Sequence, residues 1–177
     1  MLFEKSIKTP IGLMNALASD DGICLFDFPY RKMMPQIRQR VLRAFEVEPV
    51  IEEHPLFNEL EEQLLAYFNG TLREFDLPLQ FIGTEFQQRV WQALQSIPFG
   101  QTRSYKQQSI FLGNEKAIRA VAKANGENCL AILVPCHRVI GEDGALTGYA
   151  GGLRNKQWLL QHELKWSGKA MQQRLFE

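Results

Sequence analysis

A thiol, an imidazole and a guanidinium follow one another at Cys136-His137-Arg138, directly after Pro135. The apolar residues 131–134 predict a short buried strand, which Pro135 ends because it has no N–H to donate. A nucleophilic cysteine needs a lowered pKa, which a neighbouring imidazole and cationic surroundings supply. The alternative, common for an isolated Cys-His pair, is a structural cysteine beside a histidine satisfied by the core. The place just past a strand end, with further polar groups following, favours catalysis.

Short motifs on both sides of this stretch follow one another in a fixed order. They are Arg119-Ala120-Val121, Asn125-Gly126-Glu127-Asn128, Pro135-Cys136-His137-Arg138-Val139-Ile140-Gly141, Gly148-Tyr149-Ala150-Gly151-Gly152-Leu153 and Trp158-Leu159-Leu160-Gln161-His162-Glu163. With these spacings the chain resembles the catalytic domain of the O6-alkylguanine-DNA alkyltransferases. The resemblance is close from about Thr84 to Lys165 and mainly architectural before Thr84.

The composition is that of an ordinary globular protein, with 177 residues of which 45% are hydrophobic and 23% charged. This length suffices for one good core or two small ones. No apolar run approaches the roughly 20 residues of a membrane span, and residues 1–5 do not resemble a signal peptide. The cysteines Cys24, Cys129 and Cys136 are odd in number and lack disulfide spacing, which favours a reducing, cytoplasmic setting. The scattered cysteines and histidines predict no metal site.

The formal net charge is zero, but the charges are unevenly distributed. Residues 1–80 carry 8 Lys/Arg against 13 Asp/Glu, whereas residues 81–177 carry 12 against 7. A positive second half favours contact with a polyanion. Between residues 103 and 123 only Glu115 opposes the basic side chains, which are Arg103, Lys106, Lys116, Arg119 and Lys123. A basic helix face is often merely solvated, so this feature alone does not identify the partner.

The first half predicts strands joined by turns, followed by helices. The predicted strands are 3–8, 13–18 and 23–28, with turn residues between them. Helical spacing predicts helices at 37–45 and 55–68, the second opened by Pro55. Residues 78–82 indicate a further strand. No motif in this half connects to chemistry, so it is predicted to be a structural support domain.

The second half predicts short amphipathic helices. Capping-box patterns at Thr84 with Gln87, and at Ser104 with Gln107, open helices of which the second spans 105–111. A Gly113-Asn114 turn precedes a third helix, 115–124, which Asn125-Gly126 ends. Two short helices around a glycine turn have the layout of a helix-turn-helix, although a helical hairpin in a core has the same pattern. A last helix is predicted at 153–166.

The resemblance implies a two-domain fold. The N-terminal domain, residues 1–82, is expected to be an α/β domain resembling ribonuclease H without the activity of that enzyme. The C-terminal domain, residues 83–177, is expected to be mostly α-helical, with the helix-turn-helix and a short active-site strand.

The resemblance also implies a reaction, the irreversible transfer of an alkyl group from O6-alkylguanine, and from O4-alkylthymine, in duplex DNA to Cys136. His137 would accept the thiol proton through a water molecule, because adjacent side chains on a strand face opposite ways. Glu163 would orient and stabilise the imidazolium. The DNA itself is the alkyl donor, so no cofactor is expected, and the thioether product implies one turnover per molecule.

Several groups are implied to bind the guanine. Tyr105 would donate its hydroxyl proton toward N3 as negative charge develops on the leaving group, and Tyr149 with the Ala150 N–H would face O6. The carbonyls of Cys136 and Val139 would accept from the exocyclic amine. Asn128 would brace the turn before the active site. Without the resemblance, Tyr105 and Asn128 are more simply explained as cap or turn residues.

A base inside a duplex is out of reach of a buried thiolate, so the nucleotide must be flipped out of the stack. The resemblance implies that Arg119, on the second helix of the helix-turn-helix, fills the resulting gap from the minor groove. Small residues there would allow close approach, and basic residues would make binding salt-sensitive. The DNA-binding positions implied are Arg103, Lys116, Arg119, Ala120, Lys123 and Ala124. The expected partner is duplex DNA containing O6-alkylguanine, bound by a monomer, and no membrane.

The sequence departs from the family pattern at two positions, and two other functions are alternatives. Asn128-Cys129 stands where the family commonly has Asn-Pro, and Ala150 replaces a frequent serine, although only its backbone N–H is needed. A lesion-binding module without catalysis is the first alternative, and Cys136 argues against it because such relatives lack the acceptor cysteine. The second alternative is a Cys-His hydrolase of acyl substrates, in which the basic helix pair would have no role.

Overall fold

In the computed structural model, which describes residues 1–168, three antiparallel strands occupy the start of the chain in the order β1-β2-β3. They are β1 (Phe3–Thr9), β2 (Gly12–Ser19) and β3 (Gly22–Asp27). The β2–β3 turn requires glycine at Gly22, because its φ is 152° and an added Cβ would lie 2.6 Å from the Pro78 carbonyl oxygen. The predicted strands and hairpin are confirmed.

Two helices follow, α1 (Met34–Phe45) and α2 (Pro55–Phe68). Pro55 stands at the start of α2, where a missing N–H costs nothing, and the His54 side chain accepts a hydrogen bond from the Leu56 N–H. Both predicted helices are confirmed. A core between sheet and helix consists of Leu2, Leu17, Cys24, Leu25, Ile37, Val41 and Cys129.

The free edge of β3 is covered by isolated parallel bridges rather than by further strands. Ile23 pairs with Leu79, and Phe26 pairs with Leu130. The strands predicted at 78–82 and 131–134 are therefore wrong. At the second site the chain turns immediately after the bridge, with Ile132 at a φ of 71°. The apolar run is buried because it packs in a core, and four residues are too few for hydrophobicity to distinguish a strand from a turn.

The described chain divides into two compact units. The first is Met1–Thr84 with Cys129–Leu133, and the second is Glu85–Asn128 with the chain from Val134 onward. Asn128 and Val134 belong to the second unit and flank the segment Cys129–Leu133. The Asn128 Nδ2 donates to the Val134 carbonyl at 3.0 Å and so joins the two ends of this segment. The domain boundary predicted at 82/83 stays a prediction, and its far end at 177 lies outside the described residues.

The second unit consists of short elements, namely α3 (Glu85–Leu94), β4 (Arg103–Ser104), α4 (Tyr105–Phe111), α5 (Ile118–Gly126), β5 (Val139–Ile140) and α6 (Leu153–Trp166). The capping box at Ser104 and Gln107 is confirmed, and each side chain bonds the backbone N–H of the other residue. The third predicted helix begins as a 3₁₀ turn, Glu115–Ala117, capped by Asn114. It continues as α5 to Gly126, beyond the predicted end.

Two contacts position the active-site region. The Trp91 indole Nε1 donates to the Ala124 carbonyl at 2.8 Å, which fixes α3 against α5. The strands β4 and β5 pair in parallel, Arg103 with Val139 and Ser104 with Ile140. Because α4 begins directly after β4, this pairing brings the start of α4 beside the residues that follow Cys136.

Candidate active site

Cys136 lies in a 3₁₀ turn, Cys136–Arg138, and not at the end of a strand. The turn is held by the Cys136 N–H, which donates to the Val134 carbonyl, and by the Arg138 N–H, which donates to the Pro135 carbonyl. The cysteine is 9% exposed. A 3₁₀ turn has three residues per turn, so successive side chains diverge by about 120° and not by the 180° of a strand. The predicted opposite facing of Cys136 and the next residue is therefore wrong.

His137 forms a buried pair with Glu163 of α6. The His137 Nε2 lies 2.7 Å from the Glu163 Oε1, and both side chains have no exposed surface. The sequence predicted both residues, but it gave no position for the Glu163 carboxylate relative to the His137 ring. Helix α6 supplies it, because Glu163 falls on its buried face together with Leu159 and Leu160.

Arg138 binds the same carboxylate. Its Nε donates to the Glu163 Oε2 at 2.9 Å and its Nη2 to the Oε1 at 3.0 Å, while its Nη1 donates to the Ile97 carbonyl at 2.6 Å. The Gly100 N–H adds a bond to the Glu163 Oε2 at 3.1 Å. Glu163 thus accepts hydrogen bonds from two segments of the chain, the cysteine turn and the loop at Gly100.

These donors determine the protonation states. Burial opposes ionisation of Glu163, but the charges and hydrogen bonds of His137 and Arg138 outweigh it and hold the pKa of the carboxyl well below its usual range. Burial lowers the pKa of His137, although Glu163 opposes this. A neutral His137 facing an ionised carboxylate must carry its proton on Nε2. Its Nδ1 is then an acceptor, and this buried atom has no hydrogen-bond partner in residues 1–168.

Tyr105 is the first residue of α4, and its hydroxyl donates to the Thr147 carbonyl at 3.2 Å. Burial raises the pKa of Tyr105, and the charge of Cys136 raises it further. The phenol therefore stays protonated and lies within electrostatic range of the sulfur. The sequence prediction placed Tyr105 at a helix start, and the structure brings that helix start to the cysteine.

Lys156 is a buried residue that the sequence prediction missed. Its ammonium donates to three carbonyls, those of Val139 at 2.6 Å, Thr147 at 2.9 Å and Gly148 at 3.3 Å. The side chain is fully buried, and burial lowers its pKa to about 8, against an opposing effect from Cys136. The available signal was its spacing in α6, because Lys156, Leu160 and Glu163 share one helical face.

The remaining predicted substrate-binding residues lie near this network. The Tyr149 ring packs edge-on against the His137 ring, with centroids 6.4 Å apart. Ala150 is half-buried in the following turn. The Val139 carbonyl already accepts from Lys156, and the Cys136 carbonyl accepts from the Val139 N–H. Each carbonyl oxygen keeps a second lone pair.

A basic face lies on the surface of the second unit, formed by the exposed residues Lys116, Arg119, Ala120 and Lys123. None of its three cations makes a salt bridge within residues 1–168. Ala120 is one of the exposed residues of this face. Small and exposed beside Arg119, it leaves room for close approach by a partner.

Two predicted DNA-binding residues lie elsewhere. Ala124 is only 2% exposed, and its carbonyl is occupied by the Trp91 indole, so its side chain does not share the basic face. The Arg103 guanidinium is half-buried, donates to Gln108 at 2.7 Å and covers the Phe111 ring at 4.4 Å. These contacts of Arg103 lie within its own unit, and a contact of Arg103 with DNA stays a prediction.

Within residues 1–168 no group of three or more His, Cys, Asp or Glu side chains is arranged to hold a metal ion. In the same described range no helix is long and apolar enough to cross a membrane.

Comparison with known proteins assigns both halves of the chain to one class, a two-part DNA methyltransferase. Residues 2–81 match "6-O-methylguanine DNA methyltransferase, ribonuclease-like domain". Residues 85–165 match "6-O-methylguanine DNA methyltransferase, DNA binding domain". The chain belongs to the 6-O-methylguanine DNA methyltransferase family, the methylated-DNA–protein-cysteine methyltransferases. The predicted family, the enzyme class and the two-domain fold are confirmed.

Relatives match over nearly the whole length. The methylated-DNA–protein-cysteine methyltransferase of Methanosarcina barkeri is 44% identical over 162 residues, covering 92% of this chain and 97% of the relative. That of Mycolicibacterium paratuberculosis is 43% identical over 167 residues, covering 94% and 95%. The crystal structure of Mycobacterium tuberculosis OGT in complex with DNA is similar with a TM-score of 0.78 and 39% identity, covering 93% and 94%.

Proposed function

We propose that this protein repairs O6-alkylguanine, and also O4-alkylthymine, in duplex DNA by transferring the alkyl group once to Cys136. The observation that carries the proposal is the buried His137–Glu163 pair, 2.7 Å between Nε2 and Oε1, directly after the cysteine in a tight turn. Such an arrangement of nucleophile, base and orienting carboxylate activates a thiol.

The proton of Cys136 goes to His137. With Nε2–H donating to Glu163, the Nδ1 lone pair is the available base, reached directly or through a water molecule. The resulting imidazolium is stabilised by the Glu163 carboxylate. The thiolate then attacks the alkyl carbon in line with the bond to the guanine O6, the S–C bond forms, and the C–O bond breaks.

The departing guanine takes up negative charge, and preorganised donors near Cys136 meet it. Tyr105 donates toward N3, while Tyr149 and the Ala150 N–H face O6. The carbonyls of Cys136 and Val139 accept from the exocyclic amine and thereby favour guanine over adenine. Asn128 braces the approach to the site through its bond to the Val134 carbonyl. The thioether has no leaving group of comparable quality, so each molecule acts once.

Binding to DNA occurs through α4 and α5 acting as a helix-turn-helix. The exposed cations Lys116, Arg119 and Lys123 support this function, because they face solvent without internal partners in the described chain. A cysteine that is 9% exposed reaches only a nucleotide that has left the stack. Arg119 fills the gap that remains. The DNA complex of Mycobacterium tuberculosis OGT supports DNA binding by this chain.

The protein is proposed to act as a monomer in the reducing cytoplasm, with residues 1–82 as a structural domain and 83–177 as the reactive one. Its three cysteines are free thiols, which agrees with that setting. A single species of monomer mass by light scattering, unchanged after alkylation, is the expected result.

The decisive experiment is intact mass measurement after incubation with excess O6-methylguanine duplex, followed by peptide mapping. A gain of one methyl, about 14 Da, saturating at one equivalent on Cys136, is expected. Cys136→Ala should abolish transfer while retaining DNA binding. The matched control is Cys24→Ala, which removes a thiol in the first unit and should leave transfer intact.

Other outcomes would point to other functions. An unchanged mass with retained DNA binding would favour a lesion-binding module. Full transfer by the Cys136→Ala variant would overturn the mechanism. Turnover of acyl substrates through a hydrolysable intermediate would favour a hydrolase.

A further inference from the structure

Lys156 brings a full positive charge into the interior of the second unit without an anionic partner. Its ammonium is bonded to the carbonyls of Val139, Thr147 and Gly148, and no carboxylate in residues 1–168 makes a salt bridge with it. Three carbonyl dipoles satisfy its three N–H donors but leave its charge uncompensated. Burial of an uncompensated ammonium is costly, so its retention calls for a function.

Among the described residues of the second unit, the other buried cation is already neutralised. Arg138 makes a two-point contact with Glu163, and its charge is therefore matched within the pair. The imidazolium of His137, once formed, carries the proton that Cys136 released and is itself held by Glu163. Lys156 is therefore the buried cation of this unit that gains a counter-ion only when an anion forms during the reaction.

The anion within its range is the sulfur of Cys136. A charged Cys136 raises the pKa of Lys156, and by thermodynamic reciprocity a charged Lys156 favours the thiolate. The lysine also acts on the base, since its charge lowers the pKa of His137. Lys156 thus stabilises the thiolate directly and destabilises the imidazolium of His137. The rate at which an external reagent alkylates the sulfur reports on the first of these two effects.

We propose that Lys156 is a positioning residue with two roles, the fixed counter-charge of the Cys136 thiolate and the anchor of the 147–148 backbone against β5. This proposal deepens the proposed function and rests on it for the second role. The anchor acts on the leaving group, because the Thr147 carbonyl accepts from both Tyr105, at 3.2 Å, and Lys156, at 2.9 Å. The ammonium also lies 6.0 Å from the centre of the Tyr105 ring, within reach of the negative charge that the phenol gains on proton donation.

The test compares Lys156→Met, which keeps the length and removes the charge, with Lys156→Arg, which keeps the charge. The rate of Cys136 carbamidomethylation by iodoacetamide is followed against pH, with peptide mapping to separate it from Cys24 and Cys129. Lys156→Met should move the midpoint of reactivity upward by roughly one pH unit, which is about a tenfold slower reaction on the acid side. Lys156→Arg should return the midpoint close to that of the wild type.

A second measurement uses the wild type directly and does not depend on the folding of the neutral variant. The reaction with free O6-benzylguanine should fall on the alkaline side with a midpoint near pH 8, where Lys156 loses its proton. The groups that face Lys156 are Cys136, His137 and Tyr105. The first two react in their deprotonated forms, and the pKa of Tyr105 is raised, so none of them produces a loss near pH 8. In Lys156→Arg the alkaline loss should disappear, because a guanidinium stays charged.

An unmoved iodoacetamide midpoint in Lys156→Met, with slower benzylguanine transfer, would overturn the counter-charge role and leave only the anchor. An alkaline loss that persists unchanged in Lys156→Arg would overturn the other role, the support that the ammonium gives to the leaving group beside Tyr105. Failure of the proposed function is distinguishable, because the iodoacetamide titration needs neither DNA nor guanine. Wild-type protein that shows the titration but transfers no methyl would refute the repair function alone.

Discussion

Replacing Glu163 by glutamine tests whether one buried carboxylate organises the site. The substitution keeps the shape and one acceptor oxygen but turns the other position into an NH₂ donor. In the protein both carboxylate oxygens accept, from His137, from two nitrogens of Arg138 and from the Gly100 N–H. A glutamine must therefore direct its donor at another donor, and the buried Arg138 charge loses its counter-ion.

The expected loss of stability follows from that charge. Removing one partner of a buried ion pair costs about 3–5 kcal/mol, because the remaining charge stays desolvated. This is a large part of the 5–15 kcal/mol typical of a folded domain, and corresponds to a fall in Tm of roughly 10 °C for a chain of this size. Reaction with O6-benzylguanine should also slow by at least tenfold, since the imidazolium of His137 loses its stabilising carboxylate.

The assay is urea unfolding of wild type and variant across pH. The pKa of Glu163 is lowered in the folded protein, so its contribution is complete above the unfolded pKa of about 4.3 and is lost as pH falls toward the folded value. The difference between wild type and Glu163→Gln should thus be full at pH 7 and shrink below about pH 4.

The matched control is Glu142→Gln, which removes a carboxylate with a side chain that is 70% exposed and 3.7 Å from Lys106. It should change the free energy of unfolding by less than about 0.5 kcal/mol. A loss below about 1 kcal/mol for Glu163→Gln at pH 7, or a loss that is equal at pH 7 and pH 3, would refute the reasoning.

Three further substitutions, the last of them with Gln107→Ala as its matched control, test separate parts of the fold and site. Arg119→Ala should slow repair of paired duplex more than reaction with free O6-benzylguanine, because only the duplex leaves a gap to fill; equal losses in the two assays would contradict flipping. Gly100→Ala should cost about 2 kcal/mol or more by thermal unfolding, since φ is +73° and the new Cβ would lie 2.5 Å from that of Ser167; a neutral result would show that the loop relaxes. Ser104→Ala removes the cap of α4 and should cost about 1 kcal/mol, while Gln107→Ala, which keeps the serine oxygen, should cost less.

The elements predicted correctly from sequence are those with local signals. The strands at the start of the chain are delimited by glycine turns, α2 by its initial proline, and α4 by the Ser104 capping box. In each case the residues that determine the boundary lie within a few positions of it. Local chemistry is sufficient there, because the same hydrogen bonds form whatever the rest of the chain does.

The segment 129–134 could not be predicted in this way. Its apolar residues are buried, as expected, but Cys129–Leu133 belongs to the first unit while the cysteine turn belongs to the second. The bridge from Leu130 to Phe26 depends on a partner about a hundred residues away, and the turn at Ile132 follows soon after that bridge. A run of hydrophobic residues predicts that a segment is buried, but it does not indicate which part of the chain the segment packs against.

The site shows the same limit. The resemblance supplied the positions Cys136, His137 and Glu163, and the structure supplies the bond that joins the last two. Lys156 was missed because a lysine in a predicted amphipathic helix is usually assigned to the solvent face. Only the fold reveals the carbonyls of Val139, Thr147 and Gly148 that bind its ammonium.

The charges buried around Cys136 do not cancel, and that imbalance fits the reaction. Arg138 and Glu163 neutralise each other, so the charge of Lys156 remains, and proton transfer from Cys136 to His137 leaves the total unchanged. During alkyl transfer the negative charge moves from the sulfur to the guanine, while Lys156 stays fixed by its carbonyls. A fixed cation that favours the thiolate at the start and, beside Tyr105, the leaving group at the end stabilises charge along the whole displacement without reorganising. After the transfer the cysteine carries a neutral thioether and no longer presents a nucleophile, so the chemistry stops after one transfer.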